Sequence, residues 1–146
     1  MVAVVNAYSF KNVKTIYGGV EIIGFGQEAD DHVVVTAMQD VVTKTVGSDG
    51  KNVIYNVSAD QTGEITIKLL ANSVSNLFLS EQFNLLQNDL IINDLPFALL
   101  DVNGFATVSA THAIPTAMPI LTEGTTSQIR EWKLLCSNIR MVIGPL

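Results

Sequence analysis

Two histidines, one cysteine and a short acidic cluster are the groups in this chain best suited to chemistry. His32 lies between Asp31 and Val33, and His112 between Thr111 and Ala113, so neither has a second histidine at metal-ligand spacing. Both read as ordinary strand residues. Glu28, Asp30 and Asp31 gather carboxylates, but the evenly spaced ligands and the glycine of a calcium loop are missing, and a solvated turn is the better reading. Asp30, Asp31 and His32 are the nearest the chain comes to an acid–base site. Gly24-Phe25-Gly26 lacks the third glycine of a nucleotide loop and runs into strand instead of helix. No serine sits in a Gly-x-Ser-x-Gly elbow. Cys136, in Leu134-Leu135-Cys136, reads as a small buried apolar residue, and a single cysteine excludes an intrachain disulfide. Asn56-Val57-Ser58 matches the glycosylation sequon, which carries weight only in a secreted chain. The expectation is a non-enzymatic protein with no catalytic residues, no metal and no cofactor.

Composition points toward assembly. A chain of 146 residues, 48% of them hydrophobic, is long enough for one domain over residues 1–146 with its own core. Only 15% of residues are charged, against roughly 25% in ordinary soluble domains. With a mean hydropathy of +0.35, the chain carries more apolar or neutral surface than a monomer needs, and subunit interfaces cover such surface. Eight basic and fourteen acidic residues give a net charge of −6, which repels a phosphate backbone. The start, Met1-Val2-Ala3-Val4-Val5-Asn6, lacks the basic region of a signal peptide. No run reaches the roughly 20 apolar residues of a membrane span. A soluble protein made in a cytosol is expected.

The elements that must position these groups are mostly strands. Val4 to Tyr17 and Val20 to Phe25 predict a hairpin joined at Gly18-Gly19, and Val33 to Thr36 and Val41 to Thr43 are rich in β-branched residues. Val46-Gly47-Ser48-Asp49-Gly50 is a turn between two arms short of large core residues, so this excursion projects from the body. From Val53 to Leu70, alternation on both sides of Asp60-Gln61-Thr62-Gly63 predicts a second hairpin with one apolar and one polar face. The period then changes. Val74, Leu77, Phe78, Leu85 and Leu86 predict a helix over about 74–87, capped by Ser73 or Ser75 and ending at Gln87-Asn88-Asp89. Phe97 to Val102 and Phe105 to Ile114 flank Asn103-Gly104, a strong hairpin signal. Pro115, Pro119 and Gly124 mark an irregular connection. The last strand, Ile129 to Ile143, changes phase at Ser137-Asn138, as a bulge there would make it do. The fold class is mainly β: an antiparallel sandwich or open barrel with one flanking helix and a projecting hairpin.

Several segments in order carry a family resemblance: Tyr8-Ser9-Phe10-Lys11-Asn12-Val13, Ile23-Gly24-Phe25-Gly26, the turn at Val46 to Gly50, Ser58 to Leu70 with Ser75-Asn76, and Glu131-Trp132-Lys133-Leu134-Leu135-Cys136. Together they resemble the tail tube proteins of contractile-tailed bacteriophages, a short family of phage structural proteins. The resemblance implies a β-sandwich with a flanking helix, six copies to a ring, and rings stacked helically into a hollow tube inside a contractile sheath. It implies sheath, baseplate and tail terminator proteins as partners, DNA passing through the lumen without specific binding, no membrane, and a place in the virion tail after synthesis in the host bacterial cytoplasm. In that family sheets join into a β-lined lumen and a long hairpin reaches the adjacent ring. By position that hairpin is Val42, Thr43, Lys44, Thr45, Val46, Gly47, Ser48, Asp49, Gly50 and Lys51. Asn56, Ser58, Glu64, Thr66 and Lys68, the polar side of the Val53–Leu70 pair, are candidates for the lumen wall or a neighbour's surface. Three alternatives stand beside this reading: the tube of a contractile injection or type VI secretion system, a monomeric β-sandwich module binding a small ligand or glycan, and an enzyme built on Asp30, Asp31 and His32.

Overall fold

The computed structural model describes residues 8–26, 31–37, 40–90, 95–101 and 106–144. After a short 3-10 turn at Phe10–Asn12 come β1 (Val13–Tyr17), β2 (Val20–Glu21), β3 (Val33–Ala37), β4 (Val42–Val46), β5 (Val53–Val57) and β6 (Gly63–Leu69). The helix α1 (Val74–Asp89) is followed by β7 (Leu95–Asp101), β8 (Ala106–Ala117), β9 (Arg130–Ser137) and β10 (Arg140–Ile143). Of the strand predicted from Val4 to Tyr17, residues 8–12 are not strand and β1 starts at Val13, while residues 1–7 lie outside the described residues, as do Glu28, Asp30 and the Asn103-Gly104 turn. The Gly18-Gly19 turn forms as expected, with φ of 61° and 81°, a region that glycine enters without a Cβ clash.

Among the described residues every pairing is antiparallel, in the order β2-β1-β7-β8-β9-β6-β3, with β10 also on β8, while β4 and β5 pair only with each other. The fold is mainly β with one α-helix among the described residues, as the sequence predicts. The sheet curls without closing into a barrel; an isolated bridge between Phe25 and Leu69 reaches across from the chain after β2 to β6.

This topology overturns the Val53–Leu70 hairpin. Val53–Val57 pairs with Val42–Val46, and Gly63–Leu69 lies between β3 and β9. Alternation assigns faces to a strand but not its partner. The Asp60 turn does form, with Asp60 Oδ1 accepting from the Thr62 N–H at 2.9 Å, but it joins the ribbon to the sheet instead of folding β5 onto β6.

The core is the inner face of the curled sheet. Thr15 and Tyr17 from β1, Ile65, Ile67 and Leu69 from β6, Phe97 from β7, and Trp132, Leu134 and Cys136 from β9 meet there, with Leu79 of α1 as the lid. Burying each such large side chain contributes about 1.5–3 kcal/mol. The tips of the two large polar-ended side chains are satisfied: the Tyr17 hydroxyl donates to the Ala113 carbonyl at 2.6 Å, and Trp132 Nε1 donates to Asn76 Oδ1 at 2.9 Å, tying helix to sheet, whereas the buried Thr15 Oγ1 has no partner among the described residues.

Ser73 caps α1, its Oγ accepting from the Ser75 N–H at 3.2 Å, and Leu90 closes the helix in a left-handed conformation with φ of 53°. The helix face agrees with the predicted one in part: Phe78 packs on the core and Leu85 and Leu86 are half-buried as expected, but Val74 and Leu77 are exposed, and Ser75 and Leu79 are buried with Phe83 packed beside them. Ser75 is drawn inward because its Oγ accepts from the Ile23 N–H at 3.0 Å. Leu77 then stands about 200° around the axis from Ser75 and points outward.

The phase change at Ser137-Asn138 is real but needs no extra residue there. His112 opposes Ser137 and Ser109 opposes Arg140, so β8 stays in step across the break, where Asn138 adopts φ of 50°. The irregularity lies in β8: its register against β7 shifts between Leu95 and Phe97, and its buried positions switch from Val108 and Ala110 to Ala113 and Pro115.

Candidate assembly surface

The β4–β5 ribbon is built locally. Its two five-residue strands are symmetric about the Gly47–Asn52 turn, where the Gly47 N–H donates to the Asn52 carbonyl at 2.8 Å and the Gly50 N–H to the Gly47 carbonyl at 2.9 Å. Asp49 organises the turn: Oδ1 accepts from the backbone N–H groups of Lys51 (2.9 Å) and Asn52 (3.1 Å), and Oδ2 from the Asn52 side chain (2.8 Å). These donors hold the Asp49 carboxyl below the usual carboxylate range. All ten strand residues are exposed, Tyr55 by 69% and Val57 by 72%. At its base the Ser58 N–H donates to the Val41 carbonyl at 2.7 Å. The predicted projecting segment, Val42 to Lys51, is therefore one strand and the turn; Val53–Val57, placed in the core pair by its alternation, is the return strand. The equal strand lengths about Gly47–Asn52 are the sequence signal for it.

The five polar residues grouped on one face from sequence divide between two places. Asn56 stands on the ribbon and Ser58 at its base, whereas Glu64, Thr66 and Lys68 are half-buried on the outer face of β6. There Glu64 lies opposite Leu135, Thr66 opposite Lys133 and Lys68 opposite Glu131, so the face carries two acidic and two basic side chains. Lys68 Nζ donates to Asp31 Oδ1 at 2.7 Å, and that bond lowers the Asp31 pKa.

The described members of the acid–base cluster are engaged locally. The Asp31 carboxylate is engaged by Lys68, and His32 packs against Phe10 and Phe25 with ring centroids 4.6 and 6.0 Å away, its Nδ1 lacking a partner. Among the described residues no three His, Cys, Asp or Glu side chains converge on a metal position. Burial pushes the Cys136 thiol up to about 11. No described helix is long and apolar enough to cross a membrane. A groove of about 310 Å3 runs between α1 and the 118–121 segment, floored by Trp132 and walled by Ala71, Met118, Pro119 and Leu121.

The fold is that of chains from contractile injection systems. The chain superposes on one from the cryo-EM structure of the anti-feeding prophage tube-terminating cap with a TM-score of 0.65 at 12% identity, covering 99% of this chain and 96% of that one. A chain of the sheath/tube terminator of the extracellular contractile injection system PVC, in its extended state, gives 0.66 at 15% identity, covering 96% and 99%. One from the PVC sheath-tube complex gives 0.60 at 16%, covering 90% and 88%. Residues 5–144 match the sequence model of the bacteriophage PhiTE tail tube protein, and the chain belongs to that tail tube family. No curated protein matches it in sequence.

Proposed function

We propose that this chain is the repeating subunit of a contractile phage tail tube, in which six copies close a ring, rings stack, and DNA passes through the lumen into the host. The observation that carries this reading is the β4–β5 ribbon. A two-stranded ribbon exposing both faces and both edges is marginal in water, and assembly stabilises it. We assign ring-to-ring contact to Val42–Lys51 together with the return strand. Ring closure pairs the sheet edges at β2 and β3, which no described strand covers. The outer face of β6, with Glu64, Thr66 and Lys68, belongs to the lumen wall or to a neighbour's surface, and the net charge of −6 keeps DNA from adhering. Sheath, baseplate and tail terminator are the partners, the virion tail is its place, the host bacterial cytoplasm its site of synthesis, and its action is assembly without turnover.

Negative-stain microscopy of the purified protein at rising concentration tests this: six-membered rings and stacked tubes are expected, and a strict monomer at high concentration refutes it. The fold likeness to injection-system chains supports a second reading, a tube that carries effectors instead of DNA. Capsid and terminase genes beside this one select the phage tail; their absence selects the injection system.

A further inference from the structure

We propose that the ribbon binds a second copy of this chain through one face only, that of Val42, Val46, Val53, Tyr55 and Val57, and that this face seats in the groove between α1 and the 118–121 segment. The inference rests on the tube reading and names a contact which that reading leaves open.

Register defines the two faces. Val42 lies opposite Val57, Lys44 opposite Tyr55 and Val46 opposite Val53, so five apolar side chains and Lys44 share one side. Thr43, Thr45, Ile54 and Asn56 share the other, where Asn56 Nδ2 donates to Thr45 Oγ1 at 3.0 Å. The second face carries the polar side chains of the ribbon and suits water. The first presents exposed valines and a tyrosine that no described residue of their own chain covers.

Charge identifies the occupant. Lys44 and Lys51 against Asp49 give the ribbon 2 − 1 = +1, so the rest of the chain carries −6 − 1 = −7. A positive ribbon on so acidic a body finds its electrostatic partner in the body of another copy. The groove has matching chemistry: Trp132, Met118 and Leu121 make it apolar, Asn76 and Ser80 place polar groups at its lining, the Arg130 guanidinium that also lines it is neutralised by Glu123 at 3.1 Å, and α1 beside it carries Glu81 and no basic residue. Exposed Leu77 and Ile120 extend the apolar surface around it. A groove of about 310 Å3 accepts a tyrosine ring. Ribbon-to-groove contact joins two different surfaces, so it is heterologous and propagates from copy to copy, as a stack requires.

Ile54 and Tyr55 make the test clean: they are adjacent, 67% and 69% exposed, and on opposite faces. Tyr55→Asp should reduce tubes at least tenfold while Ile54→Asp leaves their length unchanged, with Trp132 fluorescence melts of both matching the wild type. Val57→Cys chains mixed with Leu121→Cys chains should form an oxidative cross-link in tubes that Asn56→Cys chains mixed with Leu121→Cys do not. Wild-type protein that forms no tubes overturns the tube reading itself. Wild-type tubes together with normal Tyr55→Asp tubes, or with loss in Ile54→Asp, overturn the choice of face. Tubes without the Val57→Cys cross-link overturn the groove.

Discussion

Replacing Val42–Val57 with Asn-Gly separates the ribbon's part in assembly from its part in folding. The Ser58 N–H already donates to the Val41 carbonyl at 2.7 Å, so the ends stand where a two-residue turn closes them. The ribbon strands pair only with each other and bury nothing in the core, so the body loses no packing. Shortening a sixteen-residue closure to two residues removes at most (3/2)RT ln 8, about 1.8 kcal/mol of loop entropy, and the ribbon's own order offsets part of this. Urea unfolding of the variant should therefore give a stability between wild type and about 2 kcal/mol above it. Negative-stain images should show single rings without long tubes. A loss of more than about 2 kcal/mol would mean that the ribbon packs on its own body, a cost typical of lost core contacts. Tubes of normal length would refute its assignment to ring-to-ring contact. A shorter cut ending at Lys51 is a poorer test because it leaves Val53–Val57 as an unpaired strand prone to aggregate.

Other consequences are local. Trp132→Phe keeps most of the packing but loses the bond to Asn76 and should cost about 1–2 kcal/mol in urea unfolding, against about 3–5 for Trp132→Ala; equal costs would refute the division. Gly63→Ala should cost about 1–3 kcal/mol, because a Cβ there comes within 2.9 Å of both the Thr36 carbonyl and Ile139 Cδ1, and an unchanged urea midpoint would show that the strands give way. The Asp49 carboxyl titrates below its ordinary 3.8, so its hold on the ribbon turn is complete above that pH and is lost as pH falls through the lower folded value. The amide NMR shifts of Lys51 and Asn52 should follow that transition, and a midpoint at or above 3.8 contradicts it. With its thiol buried and raised to about 11, Cys136 should react with a thiol reagent at pH 8 only on unfolding; rapid labelling of the native chain would contradict its burial.

What was legible in the chain was local. The Gly18-Gly19 turn, the Asp49-Gly50 turn, the Ser73 cap and the alternation of buried and half-buried residues along Gly63–Leu69 each follow from a few neighbouring residues. The family was legible because its segments recur in order along the chain. Partnership was not legible. Val53–Val57 has the same alternation whether it pairs forward across Asp60 or backward across Asp49, and β6 was taken from it by β3 and β9, which come from distant parts of the sequence. The helix face turned on a hydrogen bond from Ile23 to Ser75, fifty-two residues away, against which the periodicity of Val74 and Leu77 had no force. The sequence by itself determined strand, turn and helix, and the family to which they belong. Tertiary structure decided which strand left the sheet to become the ribbon and which polar residues still share a face, because short-range alternation specifies the sides of a strand and only long-range pairing specifies its neighbours.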